Sequence, residues 1–203
     1  MDKDERESII EIWKTSIEVQ QHFNDIEMKI RGFFIAIMVA IVAAQGFLLE
    51  KRLSFPLGSV TILYATFLPL VGVVAAYLFY FMDRYWYHRL LIGAVLHAGA
   101  IEKKYESELP ELGLGVKISE RSPIKLNSRL ARKVADLVVS HDEYRKNKIL
   151  HSDAKIELFY KSIVLLFFLW FAFTILFVGV FVDKNSLFEF LALKVSTIVC
   201  PGA

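Results

Sequence analysis

Val60-Thr-Ile-Leu-Tyr-Ala-Thr-Phe-Leu-Pro-Leu-Val-Gly-Val-Val-Ala-Ala-Tyr-Leu-Phe-Tyr-Phe-Met82 runs for 23 residues without one charged side chain. At about 1.5 Å per residue, a helix of that length reaches roughly 35 Å, enough to cross a hydrocarbon core of about 30 Å with some tilt. Charges return directly after it, at Asp83, Arg84, Arg89, Glu102, Lys103 and Lys104. Apolar residues nevertheless continue at helical spacing through Leu91, Ala94, Ala98 and Ile101, and no Pro interrupts the join. One helix is therefore expected to carry the chain out of the bilayer and into a water-exposed domain.

Two further stretches fit the same frame. Gly32 to Leu49 is uncharged, bracketed by Lys29 and Arg31 on one side and by Glu50, Lys51 and Arg52 on the other. A tight connection through Ser54, Pro56 and Gly58 joins it to the second stretch, so the two read as an antiparallel transmembrane hairpin over 32–82, with spans at 32–49 and 60–82. The third span reads as Ile163 to Val182, rich in Phe with Thr174 as its polar group. A chain of 203 residues that is 55% hydrophobic, with mean hydropathy +0.45, lies outside soluble composition, which agrees with several spans. The expectation is an all-α, three-span protein with a helical cytoplasmic domain. No apolar h-region with a small-residue cleavage site stands near the start, so the first span is expected to be retained.

Orientation follows from basic residues near the span ends. One side carries Lys14, Lys29, Arg31, Arg84, Arg89, Arg145, Lys146, Lys148, Lys155 and Lys161, ten in all, whereas the other carries Lys51, Arg52, Lys184 and Lys194. The N-terminus and residues 83–162 are thereby expected in the cytoplasm and the tail 183–203 outside, in a plasma membrane. Within that tail Leu187 to Cys200 reads as a short helix, and Cys200, the only cysteine, excludes an intramolecular disulfide.

Residues 1–31 read as an amphipathic helix with Ile9, Ile12, Trp13, Val19, Phe23, Ile26 and Ile30 on one stripe. Between the second and third spans, 83–162 reads as a helix to about Glu108, a break through Pro110, Gly113, Gly115, Ser122 and Pro123, and a helix from about Asn127 to Leu150. Leu130, Val134, Leu137, Val138, His141 and Tyr144 form the expected buried stripe of that last helix. Asn127 or Ser128 is its cap, and Ser152 restarts or bends the chain toward the third span.

Catalytic signatures do not appear. No two of His22, His88, His97, His141 and His151 fall at i,i+3 or i,i+4, so no metal site is expected. Glu102, Glu106, Glu108 and Glu111 read as a solvated charge run, and there is no phosphate-binding glycine loop or nucleophile elbow, so neither an enzyme nor a cofactor is expected. The spans contain no Asp, Glu, Lys, Arg or His, which argues against ion-coupled transport. Their informative polar positions are Gln45, Thr66 and Thr174, read either as interhelical glue or as pore lining. Pro69 bends the second span, as packing or as a gating hinge.

Two places suit an anionic ligand. Arg84, His88 and Arg89 put donors on and around one helix turn at interface depth, beside an aromatic belt. Lys117, Arg121, Lys125, Arg129, Arg132 and Lys133 form a basic run near a helix start, either a solvated or lipid-facing surface or a site for a nucleotide or oligonucleotide. Gly93, Ala94, Ala98 and Gly99 permit close helix approach and are the expected packing positions of a homo-oligomer.

The run Arg84-Tyr-Trp-Tyr-His-Arg-Leu-Leu-Ile-Gly-Ala-Val-Leu-His-Ala-Gly-Ala-Ile-Glu102, with Leu112-Gly-Leu and Leu150-His-Ser-Asp-Ala-Lys-Ile-Glu-Leu-Phe-Tyr160, resembles the small multi-pass membrane effectors of bacterial anti-phage defence systems, those of Hailong and of some retrons. The resemblance rests on apolar and aromatic patterning over about half of the chain. It implies an inner-membrane homo-oligomer, such as a tetramer, held silent by a nucleotide signal or by a regulatory partner encoded alongside it. Once released, such an effector breaches the membrane and stops the infected cell. A structural subunit that only scaffolds a membrane complex has the same spans and domain and is the competing expectation.

Overall fold

The computed structural model describes residues 1–58, 60–178 and 180–182. The fold is all-α with a few short strands, and three helical runs are long and apolar enough to cross a membrane: Lys3–Lys51, Tyr64–Lys104 and Ser152–Phe177. The expected external tail, including Cys200 and the helix at Leu187 to Cys200, lies outside the described residues. Among those described, two compact units form, one from Met1–Ala36 with Ala75–Val164, the other from Ile37–Val74 with the chain from Leu165 onward.

Helix α1 spans Lys3–Lys51 without a break, so the amphipathic helix expected at 1–31 and the span expected at 32–49 lie on one continuous helix. The only helix-weakening residue at the join is Gly32, and one glycine costs about 1 kcal/mol relative to Ala, too little to end a long helix. In the first unit, the inward face of α1 is Ile9, Trp13, Ser16, Gln20, Phe23, Glu27, Ile30 and Phe34, a strict alternation of three and four. Ile12 and Val19, expected on that stripe, are exposed, while Glu27 is buried on it.

In the second unit the end of α1 is followed by a hairpin, β1 (Ser54–Leu57) against β2 (Val60–Leu63), turned at Gly58 with φ +63. The expected helical span from Val60 therefore starts late. Val60-Thr-Ile-Leu is β-branched and apolar, the composition that a strand shares with a buried helix turn. A 3₁₀ turn at Tyr64–Phe67 leads into α2 (Leu68–Phe81). Pro69 sits in the first turn of α2, where its missing N–H is no loss. β2 also pairs with β5 (Val180–Val182), so the third span, expected to be helical to Val182, turns into a strand at its end.

In the first unit a π-helical turn, Met82–Tyr87, links α2 to α3 (His88–Lys104). After a 3₁₀ turn at Pro110–Leu112 come α4 (Leu114–Arg121), β3 (Ile124–Lys125), α5 (Arg129–Val138), α6 (Asp142–Asn147), β4 (Ile149–Leu150) and α7 (Ser152–Phe173). Strands β3 and β4 pair antiparallel. The helix expected from Asn127 to Leu150 is thus two helices: Val139 to His141 leaves helical geometry, and α6 ends at Lys148 in the left-handed region, φ 56. This break re-aims the buried side chains. Leu130 and Leu137 are 73% and 70% exposed, whereas Ala135, Val138, Val139 and Tyr144 are buried. Ser128 caps α5, its hydroxyl accepting from the Ala131 N–H at 3.4 Å. Asp136 accepts from the Tyr144 hydroxyl at 3.0 Å and from Lys148 at 2.6 Å. Lys148 first, then Tyr144, holds the Asp136 carboxyl below its ordinary value.

Glu102, expected in a solvated charge run, is buried. Its carboxylate accepts from the Trp13 indole N–H at 3.0 Å and from the Gly115 and Val116 backbone N–H groups at 3.0 and 3.1 Å, capping the start of α4. A Cβ on Gly115 would stand 3.1 Å from that carboxylate, so glycine lets the backbone come close. Around this contact Ile9, Leu109 and Leu112 form a small core with Trp13, Ile101 and Tyr105 against it.

Candidate functional site

Each uncharged stretch has a polar residue close to one end. Arg31 precedes the first stretch, Asp83 follows the second, and Tyr160 and Lys161 precede the third. These ends converge. Arg31 donates from Nε to Asp83 Oδ2 at 2.8 Å and from Nη2 to Asp83 Oδ1 at 3.1 Å, and the same Nη2 reaches Glu27 Oε2 at 2.8 Å. The Tyr160 hydroxyl donates to Asp83 Oδ2 at 3.0 Å. Asp83 is wholly buried inside the π-helical turn, a local irregularity found often at functional positions.

A second branch runs through His88. Its Nδ1 lies 3.0 Å from Glu27 Oε1. Since the carboxylate only accepts, Nδ1 carries the proton there. Nε2 faces Asp153 at 3.7 Å, and His141 Nε2 faces the other oxygen of Asp153 at 3.9 Å, both too long for hydrogen bonds. Arg84 donates to the Tyr80 hydroxyl at 2.5 Å and pairs with Glu157 at 3.5 Å, and Lys161 also binds Glu157. Three helical runs are thereby tied by buried charge, an arrangement that holds only while each partner is present.

No known protein family matches this chain, and neither does any curated protein or solved structure.

Of the residues expected to hold an anion at interface depth, Arg84 and His88 are engaged internally by Tyr80, Glu157 and Glu27, which corrects the reading of His88 as a phosphate donor. Arg89 is exposed at the rim of a recess that it shares with Arg84, Tyr85, Ile92, His141 and Asp153. The basic run is exposed throughout: Lys117 and Arg121 on α4, Lys125 on β3, and Arg129, Arg132 and Lys133 on α5. Lys117 borders a cavity with Lys103, Glu102, Glu106 and Glu120.

In the second unit Gln45 is fully buried with neither amide atom partnered, and the Thr66 hydroxyl is likewise buried and unpartnered. Thr174 donates to the Phe171 carbonyl at 2.9 Å, and Pro69 is enclosed. Of the expected packing positions, Ala98 is buried within the chain and Ala94 is half-buried, while a Cβ on Gly93 or Gly99 would meet open space. Among the described residues no group of three or more ligating side chains stands at metal-binding separations.

The sequence reading missed Glu27, Asp83, Asp153, Glu157 and Tyr160. Signals were present in the i,i+4 pairs Glu27/Arg31 and Glu157/Lys161 and in the position of Glu27 within an otherwise apolar stripe.

Proposed function

We propose that the protein is a non-enzymatic, channel-like membrane effector: a homo-oligomer whose cytoplasmic unit receives a signal and passes it to the spans, depolarising or permeabilising the cell. The supporting observation is the Arg31–Asp83–Tyr160 junction, where residues adjoining the three apolar stretches are tied to one another by a buried ion pair and a hydrogen bond that share one carboxylate. Such a network has few acceptable arrangements, because an uncompensated buried charge is costly, and it therefore transmits a displacement of one helix to the others. A setting in anti-phage defence, with abortive infection as the outcome, rests on the sequence resemblance alone.

The signal is a nucleotide or oligonucleotide, or a partner protein, at the exposed basic run from Lys117 to Lys133, with Arg89 as a further cationic contact. Exposed Phe33, Val39, Leu78, Leu166 and Leu176 supply apolar surface for lipid and for neighbouring subunits. The protein acts in the bacterial inner membrane with residues 83–162 in the cytoplasm, in keeping with the basic imbalance. A structural scaffold subunit is the second reading, favoured by the enclosure of Gln45 and Thr66, which leaves neither free to line a pore in this arrangement. Purified protein in potassium-loaded liposomes decides between them. Potassium release above that of empty liposomes supports the effector, and its absence at equal reconstitution supports the scaffold.

A further inference from the structure

Two helix faces of the first unit are left uncovered by their own chain. On α5, Leu130 and Leu137 are the most exposed large apolar side chains among the described residues outside the three uncharged stretches. They are seven positions apart, two helical turns, so they stand in one row, with Lys133 between them at i+3 and i−4. Arg129 stands one turn before Lys133 on the same flank. The second face is on α1. Ile12 and Val19 are exposed there and are also seven apart. Asp4, Glu11, Glu18 and Asp25 repeat at the same interval, all exposed, and Glu11 and Glu18 immediately precede the two apolar residues. Among the described residues neither these four acids nor Arg129 and Lys133 form an ion pair.

One face is therefore an apolar row with a basic flank, and the other an apolar row of equal spacing with an acidic flank. We propose that α5 of one copy packs on α1 of a second copy. Leu130 and Leu137 meet Ile12 and Val19, and Arg129 and Lys133 lie over Glu11 and Glu18. Equal spacing lets both apolar pairs meet at once, as in a heptad seam. The flanking charges favour this pairing over α5 on α5 or α1 on α1, where like charges would face each other. Such a contact is heterologous, so each copy engages two neighbours and a closing rotation yields a ring. The inference rests on the homo-oligomer reading above and assigns the contact that builds it. Arg132 lies on the far side of α5 from Leu130 and, with Lys117, Arg121 and Lys125, stays open to a signal.

The test co-expresses two differently tagged full-length copies in a Cys200→Ser background, one with Val19→Cys and the other with Leu137→Cys, and reconstitutes them in nanodiscs. Oxidation should give a cross-linked pair carrying both tags, and neither variant alone should cross-link. Arg129→Glu with Lys133→Glu in the Leu137→Cys copy should lower the yield by about tenfold or more, because like charges then face each other. Glu11→Lys with Glu18→Lys in the Val19→Cys copy should restore it. All of these positions are exposed, so the fold does not depend on them. Native mass spectrometry of the unsubstituted chain counts the copies. An oligomer without the mixed cross-link, or a cross-link indifferent to the charge reversal, would overturn the contact and leave the oligomer standing. A monomer would remove the homo-oligomer reading and the contact with it.

Discussion

Arg31 grips Asp83 through two guanidinium nitrogens, at 2.8 and 3.1 Å, across 52 positions of sequence, and the carboxylate it holds has no exposed surface. Neither residue belongs to an uncharged stretch, yet each adjoins one. Their pairing joins α1 to the π-helical turn that follows α2.

The pair should behave as a unit. Arg31→Met leaves Asp83 and Glu27 buried without their cation and should destabilise the protein by about 3–5 kcal/mol, whereas Arg31→Met combined with Asp83→Leu should cost less than the sum of the single changes. Unfolding in mixed micelles measures all three variants. Additive losses would show that the two side chains do not depend on each other.

Gly72 faces the ring of Phe167 so closely that an added Cβ would overlap it. Phe167 is itself buried at 6% exposure, so the ring has little room to yield. Gly72→Ala should destabilise by about 1–3 kcal/mol, and Phe167→Leu in the same chain should recover part of that loss. The readout is the midpoint of thermal unfolding in detergent.

Asp136 supplies a pH dependence with a defined sign. Its folded carboxyl is held below the ordinary value of 3.8 by Lys148 and Tyr144, so its stabilising contribution is complete above that value and disappears as pH falls through the folded value. Asp136→Asn should unfold earlier than the parent at neutral pH. The two curves should converge under acid, and a gap that persists unchanged there would assign the effect to something other than this carboxylate.

Arg129 and Arg132 lie exposed beside the Ser128 cap, three apart on α5. If the basic run receives a phosphate-bearing signal, Arg129→Gln with Arg132→Gln should weaken binding of a short single-stranded oligonucleotide and lessen the slope of log affinity against log salt by about 1.4, from two phosphates no longer neutralised. Fluorescence anisotropy across a salt series measures both. Equal slopes would return the run to a solvated surface.

These predictions draw unevenly on sequence and structure. The three apolar helices were legible because a soluble fold rarely leaves a run of bilayer length without a single charge. The start of the second was not, since Val60 to Leu63 suits a strand and a buried helix equally, and only pairing with Ser54–Leu57 decides it. Charges beside apolar stripes misled in a consistent direction. Glu27, Asp83 and Glu102 carry the same formal charge as solvated residues, and their burial depends on partners 4 to 89 positions away. Leu130 and Leu137 failed for the opposite reason, because the helix carrying them ends at Val138 and presents a different face to the core. Small residues were read as places for another helix, yet Ala98 is covered by its own chain and Gly93 by nothing in it.

The central claim is a membrane organisation: three crossings with the unit that holds Arg31 and Asp83 in the cytoplasm. It is tested by placing single cysteines in a Cys200→Ser background, one at Ser54 at the start of β1 and one at Asn147 at the end of α6, both exposed positions. An impermeant maleimide added to intact spheroplasts should label the Ser54→Cys chain and spare the Asn147→Cys chain until lysis. Labelling of Asn147→Cys in sealed spheroplasts, with Ser54→Cys protected, would contradict the account.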